Sequence, residues 1–208
     1  MTKNIIFDWS GVVRDTMDCH LWIVNKMFEK YNIHKLSFGE YRENWQQPYM
    51  LFYNKYVPNM TIEEENILYK EASSDKDCPK STAYSGMVEL VKKLKERGCF
   101  LAIVSSDNKE TILPEFKEFG LENIFEDIEI EVHDKLDSVV NIIKKRNLNK
   151  DNTYFVGDSN HEIEVAKATG IKSVAVTWGF ATAKNLKSGD PDFIVNNVKE
   201  LEDILLTK

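Results

Sequence analysis

Cysteine is scarce in this 208-residue chain: Cys19, Cys78 and Cys99 are its three, an odd number at wide spacing with no C-x-x-C pair. That excludes a disulfide-framed small fold and a thiolate metal site, and it predicts reduced, structural thiols. Five prolines and nine glycines are too few for a collagen-like or low-complexity chain. No apolar run approaches the roughly 20 residues that a membrane span takes. The first residues lead straight into strand-like sequence rather than a secretory leader, so the expected location is cytoplasmic. Positive charge is the minority sign, with 27 Lys and Arg against 34 Asp and Glu, a net charge of −7. Nucleic acid and anionic membrane are therefore not expected partners, since both call for extended basic surface. A small anionic substrate stays open if cations are concentrated locally, and the expected assembly is a monomer or homodimer.

What the chain does have is short apolar runs at Ile5-Ile6-Phe7, Phe100 to Val104, Tyr154-Phe155-Val156 and Ser173 to Val176. They lack polar alternation, which suits strands covered on both faces, and amphipathic helical stretches separate them. The pattern predicts an α/β fold with a parallel sheet. Helices are expected from Gly86 to Arg97, stopped by Gly98, from Asp137 to Arg146, and from Glu162 to Thr169, closed by Gly170. Pro191 to Val195 reads as a short final edge strand. Residues 16–80 break this rhythm and read as a helical insert on a core formed by 1–15 and 81–208. Its first helix is expected over Met17 to Tyr31, with a packing stripe of Leu21, Val24, Met27 and Phe28, and Lys76 to Lys80 reads as the return linker.

The first strand delivers Asp8-Trp9-Ser10-Gly11 into a loop, and the strand ending at Val156 delivers Gly157-Asp158-Ser159-Asn160-His161-Glu162 likewise. Ligands in open parallel sheets bind beyond the carboxyl ends of the strands, where Asp8, Ser105, Asp158 and the loop before Lys135 are expected to meet. A dianionic phosphoryl group must be neutralised, positioned and attacked in line. Asp8 is suited to attack as a nucleophile. Asp8 and Asp158 suit Mg²⁺, a cation that takes oxygen ligands. Lys135, with the hydroxyl and amide of Ser105, suits the phosphate oxygens.

These segments, in this order and spacing, resemble the four motifs of the haloacid dehalogenase-like hydrolase superfamily: Phe7 to Val13, Ile103-Val104-Ser105-Ser106, Lys135, and Gly157 to Glu162. The insert lies where one branch of that superfamily places an α-helical cap. Within that branch, Gly11 to Thr16 with His20 following is similar to the phosphoglycolate phosphatase and β-phosphoglucomutase group. The resemblance implies a Rossmann-like core with a helical cap and a phosphatase acting on a small phosphorylated metabolite. It implies Asp8 as nucleophile, with Mg²⁺ held by Asp8, the Ser10 carbonyl and Asp158, helped by Glu162 through water. It implies phosphate binding by Lys135, Ser105 and Ser106.

Ser10 departs from that pattern, because the usual phosphatase of this group has an aspartic acid there to protonate the leaving alcohol and activate water. General acid–base help is typically worth about 10²–10⁴-fold, and a serine hydroxyl does not titrate near neutral pH. Three readings follow: a leaving group good enough to need no acid, a substitute acid such as His20, or a phospho-ligand-binding protein with little turnover. Asp8-Trp9-Ser10-Gly11 is also similar to the corresponding stretch of phosphonoacetaldehyde hydrolases, which need a Schiff-base lysine; Lys26 and Lys55 are available. A dehalogenase would not need Asp158. In the insert, Trp45, Gln46, Tyr49 and Lys55 are candidates to face the leaving group, and His133 and Asp134 are candidates to orient Lys135.

Overall fold

The structure is a computed structural model that describes residues 2–207. Six parallel strands form its main sheet, in the order β5-β4-β1-β6-β7-β8. They are β1 (Asn4–Phe7), β4 (Phe100–Val104), β5 (Asp127–Glu129), β6 (Thr153–Gly157), β7 (Lys172–Val176) and β8 (Phe193–Val195). The shorter strands β2 (Arg14–Asp15) and β3 (Thr82–Ala83) pair antiparallel where the chain leaves the sheet region and returns to it. Helices α5 (Met87–Glu96), α6 (Lys109–Glu118), α7 (Leu136–Arg146), α8 (Asn160–Thr169), α9 (Ala183–Ser188) and α10 (Val198–Leu206) follow or connect the strands.

Both faces of the sheet are apolar because successive side chains of each central strand point to opposite sides. Ile5, Phe7, Leu101, Ile103 and Val156 pack under α5, α6 and α10, while Ile6, Ala102, Val104 and Phe155 pack under α7 and α8. Strand β1 lies at the centre, with Phe7 level with Ile103 of β4 and Val156 of β6. All strands run the same way, so Asp8, Ser105 and Asp158 emerge from one edge. Gly98 and Gly170 close α5 and α8 at φ of +76° and +74°, the left-handed stop that Gly adopts without a Cβ penalty.

Residues between β2 and β3 form α1 (Met17–Glu29), α2 (Phe38–Asn44), α3 (Met50–Tyr56) and α4 (Ile62–Ser73). These helices have a hydrophobic cluster of their own around Met27, Phe28, Tyr41, Phe52 and Tyr53, and Phe180 from the loop after β7 joins it. The first insert helix ends at Glu29 rather than Tyr31, because the chain turns there and Asn32 takes a left-handed conformation. Two elements carried no clear sequence signal. Strand β5 is three residues with polar ends, and α6 contains Pro114, a residue that disfavours a helix interior. No helix among the described residues is long and apolar enough to cross a membrane.

Candidate active site

The loop after β1 is held by its own backbone. The amides of Val12, Val13 and Arg14 all donate to the Trp9 carbonyl, and Gly11 sits at φ +80°. Trp9 is fully buried against Phe116, ring centroids 4.8 Å apart, and its indole N–H donates to Glu115 Oε2 at 2.8 Å. That anchor fixes Asp8 beside it, whose Oδ1 accepts from the Trp9 amide at 2.7 Å.

Lys135, at the start of α7, is completely buried, with Nζ 2.9 Å from Asp8 Oδ2 and 2.7 Å from Glu162 Oε1. Glu162 is positioned by the first turn of α8: its Oε2 accepts from the Ser159 amide at 3.0 Å and the Ser159 hydroxyl at 2.6 Å, a capping box. Helix capping and the lysine contact thus share one carboxylate. Asp158 accepts from the Phe180 amide. A Cβ at Gly11 or at Gly179 would each come within 2.1 Å of Asp158 Oδ2, so the carboxylate fits only between two residues without side chains.

Three buried carboxylates, Asp8, Asp158 and Glu162, offer oxygen atoms that all lie within 4.8 Å of one another. Burial pushes Asp8 up to about 7, with Lys135 pulling against that rise and the charge of Glu162 adding to it. Asp158 is held well above the usual carboxylate range by burial and by the neighbouring charges of Asp8 and Glu162. Burial also works against ionised Glu162, but Lys135, His161 and Ser159 outweigh it and hold the carboxyl below its usual value. On Lys135 the charges of Asp8 and Glu162 overcome a large burial penalty and raise it. One ammonium does not neutralise three carboxylates. The donor set is hard, all-oxygen and short of positive charge, which fits Mg²⁺.

Ser10 and Ser105 share a partner that the motifs do not mark. The Ser10 hydroxyl donates to Asp107 Oδ2 at 2.8 Å, and the Ser105 hydroxyl donates to the same oxygen at 2.8 Å. Arg14 Nη1 lies 3.6 Å from Asp107 Oδ1, and Arg14 Nε 2.6 Å from Glu115 Oε1. The Ser105 amide is not free for a phosphate, because it continues the β4–β5 ladder by donating to Glu129 O at 2.9 Å. Ser106, rather than Ser105, lines the cavity. Asp107 was legible only as a polar residue two after Ser105; nothing in spacing ties it to Ser10.

A cavity of about 640 Å³ opens from Asp8 and Ser10 to the insert. His20 lines it, with Nδ1 2.6 Å from the Tyr41 hydroxyl, and burial pushes its imidazole down to about 4, so the ring is neutral at pH 7. Trp45 and Tyr49 also line it, but Gln46 is exposed and its neighbour Gln47 takes the wall position. Lys26 lies over the Trp22 ring, Lys55 bonds Asn44 Oδ1, and neither lines this cavity, so neither lysine is placed for a Schiff base there. Next to Lys135, the His133 ring packs edge-on against Tyr49, and Asp134 caps the Leu136 amide. His161, which carried no sequence pattern, accepts from the Lys135 amide through Nε2 at 3.3 Å. The free thiols of Cys19 and Cys78 meet at the cavity wall, 3.3 Å apart, despite their separation in sequence.

A family model described as haloacid dehalogenase-like hydrolase matches residues 5–176. A pyrophosphatase PpaX of Halalkalibacterium halodurans is 26% identical over 99% of this chain and 98% of its own length. A phosphoglycolate phosphatase of Synechococcus elongatus is 22% identical over 96% of this chain and 95% of its own. Among solved structures, a predicted phosphatase from Clostridium acetobutylicum superposes with a TM-score of 0.83 at 22% identity, covering 99% of both chains.

Proposed function

The chain belongs to the haloacid dehalogenase-like hydrolase family, and from that premise we propose a Mg²⁺-dependent phosphatase that hydrolyses a small phosphorylated metabolite through an aspartyl-phosphate on Asp8. The observation that carries this reading is the pairing of Asp8, which lines the cavity, with fully buried Lys135, whose Nζ lies 2.9 Å from Oδ2. A binding module would need the lysine but not a carboxylate at the end of β1 aimed at the ligand. The names of the relatives, a pyrophosphatase and a phosphoglycolate phosphatase, support phosphoryl transfer on small substrates.

Asp8 acts as the nucleophile: one of its carboxylate oxygens forms a bond to phosphorus as the bond from phosphorus to the leaving oxygen breaks. Lys135 neutralises the carboxylate before attack and the phosphoryl oxygens during it. The Trp9 amide fixes Asp8 Oδ1, so attack falls to one face of the carboxylate. Asp8, Asp158 and the Ser10 carbonyl would hold Mg²⁺, with Glu162 supporting it through water. When bound, the ion supplies charge neutralisation to the transferring group. Ser106 and neutral His20 contact the substrate from the cavity wall. Water then attacks phosphorus as the bond from phosphorus to the Asp8 oxygen breaks, releasing phosphate and freeing Asp8; the water's proton passes to solvent, and the departing oxygen takes its proton from solvent. Ser10 supplies no acid to the leaving oxygen, and the carboxyl group that its hydroxyl bonds is Asp107.

Steady-state hydrolysis of p-nitrophenyl phosphate with Mg²⁺ and with EDTA, in wild type and Asp8→Asn, tests the reading. Loss of the nucleophile should remove at least about 10³-fold of turnover. Unchanged Mg²⁺-dependent turnover in Asp8→Asn would sink it.

A further inference from the structure

Helix α4 buries a carboxyl on the face that also carries Leu68, Tyr69 and Ala72 into the insert's apolar cluster. Glu65 is its buried residue, 4% exposed, while Ile62 and Ile67 of the same helix are 40% and 67% exposed. A buried carboxyl is costly unless paired, and helices normally turn isoleucine inward and glutamate outward. Among the described residues no lysine, arginine or histidine pairs with Glu65; the polar group beside it is the Tyr53 hydroxyl. The Tyr53 hydroxyl offsets part of the burial cost, but no cation of the described residues neutralises the carboxylate, and a local rule broken without that compensation marks a place where a ligand can supply the charge.

The surroundings define the ligand. Glu65 lines the same cavity as Asp8 and Ser10, and so do Gln47 and Ser81, whose buried Oε1 and Oγ have no hydrogen-bond partner. Tyr49, Tyr53 and Tyr69 stand close enough to Glu65 to feel its charge, and burial keeps all three phenols neutral. One carboxyl, two unpaired oxygen acceptors and a wall of neutral aromatic rings suit an ammonium group, which has several N–H donors, and binds aromatic faces. Three cations line the cavity: Lys76 and Lys80 are exposed, and buried Arg14 is already taken up by Glu115 and Asp107. The indole N–H of Trp45, also unpartnered and in the cavity, suits an oxygen of the same ligand. A volume of about 640 Å³ leaves room for such a group beyond the phosphoryl at Asp8.

We propose that the cavity takes a phosphate monoester whose alcohol carries an ammonium group, with Glu65 as its counter-ion and Tyr49, Tyr53 and Tyr69 around it. This rests on the assignment of the phosphoryl site to Asp8. Glu65 selects the substrate and takes no part in bond making.

The test is binding, so that it does not depend on turnover. Titration calorimetry on Asp8→Asn with Mg²⁺ would compare ω-aminoalkyl phosphates of two to six carbons with ω-hydroxyalkyl and n-alkyl phosphates of equal length. At least one amine ester is expected to bind at least about tenfold more tightly than both isosteres, and adding Glu65→Gln should bring that ratio within about twofold. Glu65→Asp, which keeps the charge at shorter reach, should retain part of the preference and serves if the glutamine variant does not fold. Equal binding of all three series, a preference for the hydroxyl series, or a preference that survives Glu65→Gln would overturn the inference. Hydrolysis of p-nitrophenyl phosphate by the wild type judges the phosphatase reading separately: turnover without amine preference defeats only the present inference, whereas amine preference without turnover defeats only that reading.

Discussion

The Ser10 hydroxyl donates to the Asp107 carboxylate, 2.8 Å to Oδ2 and 3.0 Å to Oδ1, so a side chain from the loop after β4 places its acid against the position two residues beyond Asp8. The site therefore has a carboxyl group where its own loop has none. A second carboxylate at position 10 would meet Asp107 at contact distance, and like charges that close oppose each other.

That contact sets the outcome of restoring an acid to the loop. Ser10→Asp alone should gain little activity on alkyl phosphates, because the new carboxylate and Asp107 compete for one space and one charge. Ser10→Asp combined with Asp107→Asn should exceed Ser10→Asp by at least about tenfold in kcat/KM on an alkyl phosphate, within the range that acid–base help typically supplies. If the single variant matches the double one, Asp107 does not crowd position 10.

Lys135 is the cation shared by Asp8 and Glu162 inside the protein. Lys135→Met would leave two buried carboxylates facing each other without it, and removing one partner of a buried ionic cluster typically costs about 3–5 kcal/mol. Urea unfolding should show that loss. Millimolar Mg²⁺ should stabilise the variant more than the wild type, since the ion supplies the charge that the lysine did. Equal stabilisation of the two proteins by Mg²⁺ would separate the carboxylate cluster from metal binding.

Gly179 tests the seat of Asp158 without backbone strain, because its φ lies outside the left-handed region. An added Cβ would stand 2.1 Å from Asp158 Oδ2 and 2.5 Å from the Gly11 carbonyl, both fixed by the loops that build the site. Gly179→Ala should therefore displace Asp158 and raise the Mg²⁺ concentration for half-maximal activity by at least about tenfold, the scale on which groups supporting a metal site act. An unchanged Mg²⁺ requirement would show that Asp158 is not a ligand.

The sheet was legible because its central strands are buried on both faces, which leaves unbroken apolar runs at Ile5 to Phe7, Phe100 to Val104 and Tyr154 to Val156. The same logic hid β5, whose Asp127 points into ion pairs with Lys145 and Arg146 rather than into the core. Asp8, Lys135, Asp158 and Glu162 could be singled out because each follows or precedes a recognisable element at a fixed interval. Asp107 and Glu65 could not. Asp107 gains its meaning from Ser10, 97 residues away, and Glu65 from a cavity that it shares with residues distant in sequence such as Asp8 and Ser81. In the aromatic segment, Gln46 and Gln47 differ by one position, and only the turn before α3 decides which faces the cavity.

Glu65 also leaves a mark on stability that can be read without any ligand. Burial pushes its carboxyl up to about 7, with the Tyr53 hydroxyl offsetting part of the rise, against an ordinary value of 4.5. The folded protein therefore holds a proton between those pH values that the unfolded chain has released. Stability falls as pH rises through that window, by at most about 3 kcal/mol, and stays lower above it. Glu65→Gln abolishes this dependence, since its amide has no charge to lose. At pH 4.5 the variant and the wild type should melt within about a degree of each other. At pH 8 the variant should melt higher, by roughly 2–4 °C for each kcal/mol recovered. A difference in melting temperature that does not change between pH 4.5 and 8 would show that Glu65 finds its charge compensated within the folded chain, and with that the case for an external cation would lose its footing.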